Sequence, residues 1–546
     1  MAPTDRPPAP GRAVKARSAR EPLLDVHDIQ GNVLAGFNKD HQLLTALTIR
    51  DVAAARQWLR RVAPHVSSLA EVHQFNGLFR MRRARVGRDP AGLVATWVNV
   101  AFSYPGLATL TSPAAADGVP DAPFRAGLPG RAGVLGDAAP GGRGDPTAGW
   151  VVGGTGRVPD VLLIVASDDP DELAKAAARV RPGAGDGPGA PEVVWEELGQ
   201  TRPDLPGHEH FGFKDGVSQP GVRGLVSQRP DVFLTPRLLA PSAAGGVESA
   251  RPGQPLVWPG QFVFGYPSTD GASGSTGGPV PPGKLKPAWL RNGSLLVFRR
   301  LRQDVAAFAA FVTATAAALA ATPEFAGMTP ARRGALLVGR WPSWAPVPRA
   351  PQTDLPALAA CPLSNNDFLF AVNTPPPVFR PGAAGPPPFP PAAADPHGFI
   401  CPHAAHIRKV NPRDQDSDLG DQFDTLTRRI LRRGTPYGPP LADPSADDGV
   451  DRGLHFLCYQ TSIEEQFEKL QVDWANSTGA PQAGGHDLVI GQTADGVRGF
   501  DLSTPDGASV RPLTAPRQWV TPTGGGYFFA PSISAIRDVL GGGAVA

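Results

Sequence analysis

The chain has 546 residues, enough for two or more domains with a large core. Its 52 Lys and Arg against 50 Asp and Glu leave a formal net charge of +2, which argues against a nucleic-acid partner held by bulk charge. The three cysteines are scattered and odd in number, so we expect free thiols. The basic N-terminus lacks the apolar segment of a signal peptide and a twin-arginine pair. We expect a disordered tail over residues 1–21 of a cytoplasmic protein.

The first half of the chain, residues 22–205, follows the order β-α-β-β-α-β. Periodicity predicts strands at 43–49, 94–103, 161–166 and 192–198. Asp51 is predicted to cap a helix that ends near Val62, and Ser167 or Asp168 to cap the second helix. This order is that of a ferredoxin-like domain.

The second half, residues 206–542, repeats the order. Strands are predicted at 293–301, 428–434, 453–460 and 525–531. An Ala-rich helix follows the first of them, and Thr461 with Glu464 forms a predicted capping box for another. A last helix is predicted at 532–540. The fold class is therefore α+β, with two ferredoxin-like domains built on antiparallel sheets and a cleft where the sheets meet.

Two kinds of low-complexity segment interrupt this pattern. Residues 305–322 carry no charge for 18 positions, but ten are Ala, and the large side chains fall on one helical face; we predict a core helix and no membrane partner. Segments rich in Gly and Pro at 111–148, 268–283 and 375–396 are predicted to be long loops, the last two being insertions in the second domain.

The segment "FICPHAAHIRKVNPRD" (399–414) holds two histidines three residues apart. On a helix, His403 and His406 would lie on one face. A zinc site needs further ligands at short spacing, and none is present. Cys401 has no second cysteine nearby, so covalent attachment of a c-type haem is excluded. From these residues alone, an ordinary imidazole and a metal ligand both remain open.

Two further motifs carry polar groups. In "EHFGFKDGVSQP" (209–220), Gly212 and Gly216 flank Asp215, which favours a tight turn that lets a flat ligand approach, although an ordinary turn has the same pattern. In "RRILRRG", alternation along a strand places Arg432 on the face of the apolar Ile430, toward the interior, unless the segment is a solvated edge.

Together these segments resemble the dye-decolorizing peroxidase family of haem proteins. The resemblance begins at "HDIQGNVLAGFNKDH" (27–41) and includes "HFGFKDGVSQP", "PGQFVFGYP", "NGSLLVFRRLRQD", "LVGRWPSWAP", "CPHAAHIRKVNPRD", "ILRRGTPYGP" and "GLHFLCYQTSIEEQF". It therefore extends over nearly the whole chain in a fixed order. It implies two ferredoxin-like domains and one haem b per chain, in a cleft between the sheet and helices of the second domain.

The resemblance also implies residue roles. His406 matches the proximal ligand of the haem iron, and Asp215 and Arg432 match the distal aspartate and arginine. His403 matches a position that is not a ligand. Gly434 stands where some branches of the family carry a distal asparagine, so no such amide acts here. A carboxylate beside the iron suits proton transfer within bound peroxide, and a guanidinium stabilises the charge that develops on the leaving oxygen.

Further roles are predicted around these three residues. Asp487 resembles an acidic position that accepts a hydrogen bond from the proximal histidine, with Glu464 and Glu468 as rivals. Arg408 pairs with a haem propionate or is a solvated loop residue. Two strand residues wall the distal pocket or belong to the core: Leu454 and Phe456. Three aromatic residues are candidates for carrying electrons to the surface: Tyr437, Trp474 and Trp519.

The resemblance implies a haem peroxidase that reduces hydrogen peroxide and, through a ferryl haem, oxidises dyes, phenols or other bulky reductants. Three alternatives follow from the residues. One is removal of iron from haem, and a second is a haem carrier without turnover, for which Asp215 and Arg432 would be unnecessary. The third is a non-haem metal site built on His403 and His406.

Overall fold

In the computed structural model of the chain, the described residues are 21–542 except 88–89, 91, 139–143, 215, 230–231, 240–246, 270–275, 278–284, 286, 376–388 and 505–506. Residues 1–20 of the expected tail and most of both Pro/Gly-rich insertions therefore lie outside them. Glu21, placed in the tail by the sequence, is instead buried and pairs with Arg223 and Arg237. Among the described helices, none combines the length and apolar character that a membrane crossing requires.

The first half contains four long strands and the helices between them. In chain order its elements are α1 (Gly31–Leu34), β1 (His41–Thr48), α2 (Val52–Val62), α3 (Leu69–Val86), β2 (Thr96–Phe102), α4 (Tyr104–Leu110), α5 (Pro113–Ala116), α6 (Ala122–Arg131), β3 (Val161–Ser167), α7 (Pro170–Val180) and β4 (Glu192–Gln200).

The second half contains the other long strands and most short elements. They are β5 (Gly221–Val222), β6 (Ser249–Arg251), β7 (Gln254–Val257), β8 (Ser268–Thr269), β9 (Thr276–Gly277), β10 (Ser294–Gln303), α8 (Val305–Ala320), α9 (Pro330–Val338), α10 (Pro356–Ala360), α11 (His406–Lys409), α12 (Gln422–Leu426), β11 (Leu431–Arg432), β12 (Thr435–Tyr437), β13 (Gly453–Gln460), a π-helix (Ile463–Ala475), β14 (Arg498–Ser503), β15 (Val510–Ala515), β16 (Val520–Ala530) and a second π-helix (Ala535–Leu540).

The strands of both halves join into one closed antiparallel barrel. The first half has the order β2-β3-β1-β4 and the second the order β16-β10-β13-β12, which is the same ferredoxin-like wiring. Phe102 on β2 pairs with Phe529 on β16, and Gly199 on β4 pairs with Tyr437 on β12. Because β10 also pairs with β13, the ring of eight strands has no break. The two expected sheets are therefore parts of a single sheet.

Local chemistry explains most helix boundaries. Asp51 accepts a hydrogen bond from the Ala54 amide at the start of α2, as predicted. The next predicted cap is wrong: Asp169, not Ser167 or Asp168, caps α7, where Pro170 occupies the first helical position. Likewise Ser462, not Thr461, caps the π-helix that follows β13.

Two further predicted elements are wrong, one helix is absent from the predictions, and one predicted helix is confirmed. The loop expected at 111–148 contains α5 and α6, and the strand expected at 428–434 is reduced to the two residues of β11. The 18-residue helix α3 has no counterpart among the predicted elements. Helix α8 buries Val305, Phe308, Val312 and Leu319 along one face, which confirms a core helix.

A largely buried polar cluster of side chains from β4, β10 and β13 connects the two halves. Glu197 on β4 accepts hydrogen bonds from His455 Nε2 at 2.6 Å and from Arg300 at 2.8 Å. Burial opposes ionisation of Glu197, but these donors outweigh it and lower its pKa from 4.5 to about 2. Burial also lowers the pKa of His455, so its neutral ring donates through Nε2–H.

This cluster predicts acid sensitivity of the barrel. Because the pKa of Glu197 is lower in the folded chain, its stabilising contribution is present above about pH 5 and is lost as the pH falls toward 2. We expect the contribution to be about 3 kcal/mol at neutral pH. Urea unfolding at pH 6 and pH 3 measures it, with Glu197→Gln as the reference lacking the titration. An equal loss of stability in both proteins would contradict the prediction.

Candidate functional site

The site is a cavity of about 220 Å³ between the sheet of the second half and the helices that pack on it. Its walls come from β10, β13, α9, α11, α12 and the first π-helix, together with the 209–220 loop. Most of the lining is apolar. Six of the residues predicted from the sequence line it: Gly216, His406, Arg432, Leu454, Phe456 and Trp474.

His406 begins the short helix α11 and lies in the cavity wall with about a quarter of its side chain exposed. Its Nδ1 lies 2.7 Å from Oδ2 of Asp487, which is fully buried. The other carboxylate oxygen of Asp487 accepts hydrogen bonds from the backbone amides of Val489 and Ile490, at 2.8 and 3.1 Å. The carboxylate therefore fixes the orientation of the imidazole, because its own position is fixed by the backbone. The rival Glu468 is bound to Arg131 and Tyr527 instead.

The turn before α11 is held by a buried ion pair. Asp395 accepts hydrogen bonds from the amides of Phe399, Ile400 and Cys401, between 2.7 and 3.1 Å. Arg408 binds the same carboxylate at 2.8 Å and donates to the Cys401 carbonyl at 2.6 Å. This arrangement fixes the backbone on both sides of His406.

Arg408 therefore does not reach the cavity. Its side chain is completely buried, and its guanidinium is bound by Asp395, Gln415 and the Cys401 carbonyl. On a helix, residues two apart point in nearly opposite directions, which explains why His406 and Arg408 face different sides of α11. The predicted pairing of Arg408 with a haem propionate is corrected by this geometry.

Breaking the Asp395–Arg408 pair is expected to destabilise the chain. Asp395→Ala leaves the buried guanidinium of Arg408 without its carboxylate, and such losses cost about 3–5 kcal/mol. Urea unfolding measures the change. A matched control is Glu192→Ala, which removes the partner of Arg50 in a pair that is more than half exposed and is expected to cost less than about 1 kcal/mol. Equal effects of both variants would contradict the structural role of Asp395.

Arg432 reaches the cavity from strand β11. Ile430 and Arg432 line the cavity, while Leu431 packs into the opposite core and Arg433 donates to the carbonyls of α1. The alternation read from the sequence therefore holds, although the strand is only two residues long. The Arg432 backbone is also tied to Gln219, whose side chain accepts from the Arg432 amide and donates to its carbonyl.

The 209–220 loop closes another side of the cavity. Glu209 accepts hydrogen bonds from the Phe211 and Phe213 amides, both at 2.8 Å. Gly212 and Gly216 both have φ of +88°, a conformation that favours glycine. At either position, an added Cβ would meet no atom of the described residues within 4 Å, apart from its chain neighbours. Backbone conformation, and not crowding by protein, therefore requires both glycines. Asp215, between them, lies outside the described residues.

Several cationic residues of the cavity were missed by the sequence reasoning. They are Lys214, Arg340, Arg428 and Arg429. Burial lowers the pKa of Arg429 to about 10, and Arg432 adds to the effect through repulsion. Arg428 and Arg429 stand in the segment that supplied Arg432, but strand alternation gave no reason to choose them. Arg340 stands in "LVGRWPSWAP", 66 residues before His406, so no local pattern indicates that both residues line one cavity.

The remaining candidates have structural surroundings. Both ring nitrogens of His403 lie 3.0 Å from backbone carbonyls, of Ala483 and Pro396, away from the cavity lining. Within the described ranges, no cluster of three His, Cys, Asp or Glu residues is arranged to hold a metal ion. The sequence offers three aromatic residues as surface sites for electron transfer, but all three are buried: Tyr437, Trp474 and Trp519. Trp474 lines the cavity.

Comparison with known proteins identifies the family. The model of the DyP dimeric alpha+beta barrel domain matches residues 28–203, and that of the Dyp-type peroxidase C-terminal domain matches residues 393–483. Dye-decolorizing peroxidase msp1 of Mycetinis scorodonius is 31% identical, with 99% of this chain and 92% of the relative covered.

Solved structures agree. An ancestral D-type dye-decolorizing peroxidase is 33% identical with a TM-score of 0.72, covering 96% of this chain and all of that one. The decolorizing peroxidase of Auricularia auricula-judae is 28% identical with a TM-score of 0.69, covering 95% of this chain and all of that one. By sequence and by structure, the chain belongs to the dye-decolorizing peroxidase family, whose members are haem peroxidases.

Proposed function

We propose that the chain binds one haem b in the cavity, with His406 as the proximal ligand of the iron. The observation that carries the proposal is the His406–Asp487 pair in the cavity wall. Since Nδ1 faces Asp487, Nε2 is the ring nitrogen that would coordinate the metal. The carboxylate holds the imidazole proton on Nδ1, which leaves Nε2 as the donor and would strengthen its donation to iron.

The surroundings of His406 fit a haem. The apolar walls suit the porphyrin faces, and Leu454 and Phe456 alternate with the inward His455 so that both meet the cavity. Arg429 is a suitable partner for the propionates: it lines the cavity, and its buried Nε has no hydrogen-bond acceptor among the described residues. An anionic group next to Arg429 and Arg432 would relieve the repulsion between the two guanidinium groups.

Bound haem would supply the redox chemistry of hydrogen peroxide reduction. The protein residues bind and polarise the peroxide. Asp215 would accept a proton from one peroxide oxygen and return it to the other, and Arg432 would stabilise the negative charge that develops on the leaving oxygen. The mostly apolar lining disfavours water, which would strengthen the interaction of the guanidinium with that charge.

Dyes, phenols or other bulky organic molecules are the proposed reductants. Relatives named dye-decolorizing peroxidases support this substrate class. Trp474 lines the cavity and donates from its indole nitrogen to Asp418 at 2.7 Å. Asp418 is partly exposed and also pairs with Lys469, so this contact extends from the cavity to the surface. Electrons from a bulky reductant at the surface could therefore reach the cavity through Asp418 and Trp474, so the reductant need not enter the cavity.

Haem titration followed by a peroxide assay tests the proposal. We expect a Soret band that saturates at one haem per chain, and oxidation of an anthraquinone dye and a phenol that requires both haem and hydrogen peroxide. If haem binds but peroxide is not consumed, the chain is a haem carrier. If no Soret band forms, the haem proposal is wrong.

A further inference from the structure

Lys409 is an unusual buried cation beside the His406–Asp487 pair. It ends helix α11, three residues after His406, and its side chain is completely shielded from solvent. Its Nζ has no hydrogen-bond partner among the described residues. Isolated buried ammonium groups are costly, so a chain that keeps one at such a position sacrifices stability for another property.

Three titratable groups of neighbouring loops interact electrostatically with Lys409. Asp487 and Asp418 attract its charge, and Lys409 in turn lowers the pKa of His486. Burial lowers the pKa of Lys409 to about 8, and the two carboxylates oppose that effect. At pH 7 the ammonium is therefore mainly charged.

Both of these acids hold side chains of the cavity wall. Asp487 binds His406, and Asp418 accepts the hydrogen bond from Trp474. The charge of Lys409 thus acts on the carboxylate that determines how much negative charge the imidazole carries. Asp418 has a second cation, Lys469, at 3.0 Å. The hydrogen bonds of Asp487 come from His406 and backbone amides, and the buried Arg498 also attracts its charge.

We propose that Lys409 is a positioning residue that acts through Asp487 to limit the anionic character of His406. The inference rests on the proposed haem function. The ammonium offsets part of the Asp487 charge, so the proton stays more firmly on Nδ1 of His406 and the ring donates less charge to iron. A nearby positive charge also favours the reduced metal directly. Both effects raise the reduction potential of the ferric/ferrous couple.

The test compares Lys409→Met with Lys469→Met in the haem-loaded protein. Each variant removes one positive charge near Asp418, but only Lys409 is buried beside Asp487. Spectroelectrochemistry is expected to show that Lys409→Met favours the ferric state about tenfold, a downward shift of about 59 mV. Lys469→Met is expected to leave the potential unchanged, because Lys469 pairs with Asp418 and Asp473 and not with Asp487. Lys409→Arg keeps the positive charge, so its potential is expected to stay close to that of the parent protein.

A second measurement does not involve haem. In the apo-protein, Lys409→Met is expected to increase the free energy of unfolding, because it removes a buried charge without a partner. Lys409→Gln is measured in parallel, and it serves as the test variant if Lys409→Met fails to fold. A normal Soret band with an unchanged potential in the Lys409 variants would overturn this inference alone. Absence of a Soret band in the parent protein would instead overturn the proposed function.

Discussion

Replacing His406 by alanine is expected to remove the native Soret spectrum and to abolish peroxide-dependent oxidation of dyes. The reason is that His406 is the one histidine of the described cavity wall, and its ring is oriented by Asp487. Removing only a hydrogen-bond partner of a metal ligand already costs about 10–100-fold in affinity or activity, so loss of the ligand itself is expected to cost more. Absorption spectroscopy during haem titration measures the effect.

His403→Ala is the matched control. His403 lies three residues before His406 on the same segment but binds the carbonyls of Ala483 and Pro396 outside the cavity lining. We expect it to keep the Soret band and the peroxidase activity. If His403→Ala loses haem and His406→Ala keeps it, the ligand assignment and the proposed role of Asp487 both fail. If both variants bind haem normally, the cavity holds haem by another ligand.

The strand pattern of the fold was accessible from the sequence because each long strand has its own periodicity. β1, β3 and β13 are apolar or alternating segments with clear ends, and the two β-α-β-β-α-β series follow from their order. Closure of the barrel was not accessible in the same way. It depends on short contacts between the halves, such as Phe102 with Phe529, and a single pair leaves no periodic signal.

Helix α3 shows a different limit. Its first turn has a complete capping box between Ser68 and Glu71, which a search for caps would have found. Its second half is mostly exposed and rich in arginine, so no apolar stripe continues along it. Hydrophobic periodicity, which served for α8, therefore gives no signal for α3.

In the candidate site, too, some residues follow from local sequence patterns and others only from tertiary packing. Arg432 could be assigned an inward direction because alternation with Ile430 is a local property of the chain. Arg408 could not, because its direction depends on α11 and on a buried partner, Asp395, 13 residues earlier. Arg429 and Arg340 are cavity residues only through tertiary packing. Local patterns therefore predicted the direction of a side chain within one element, but not which distant elements meet.

Arg432→Leu is expected to lower the rate of reaction with hydrogen peroxide by about 10²–10³-fold while leaving the haem affinity nearly unchanged. The guanidinium is proposed to stabilise charge that develops only during the reaction, and removal of one such donor typically has this cost. Since the substitution leaves the Gln219 contacts to the backbone in place, the strand that carries it should keep its position. Stopped-flow absorbance at varied peroxide concentration measures the rate.

Arg428→Leu is the control for charge alone. It removes the same charge from the same cavity, but Arg428 pairs with the exposed Glu465. A field effect of net charge would slow both variants alike and would weaken as salt is added, because screening acts on exposed charges. A specific role predicts a loss confined to Arg432→Leu that persists at high salt.

Arg432→Lys separates charge from geometry. An ammonium restores the charge without the planar fork of donors, so a slow Lys variant points to directed hydrogen bonding at the peroxide.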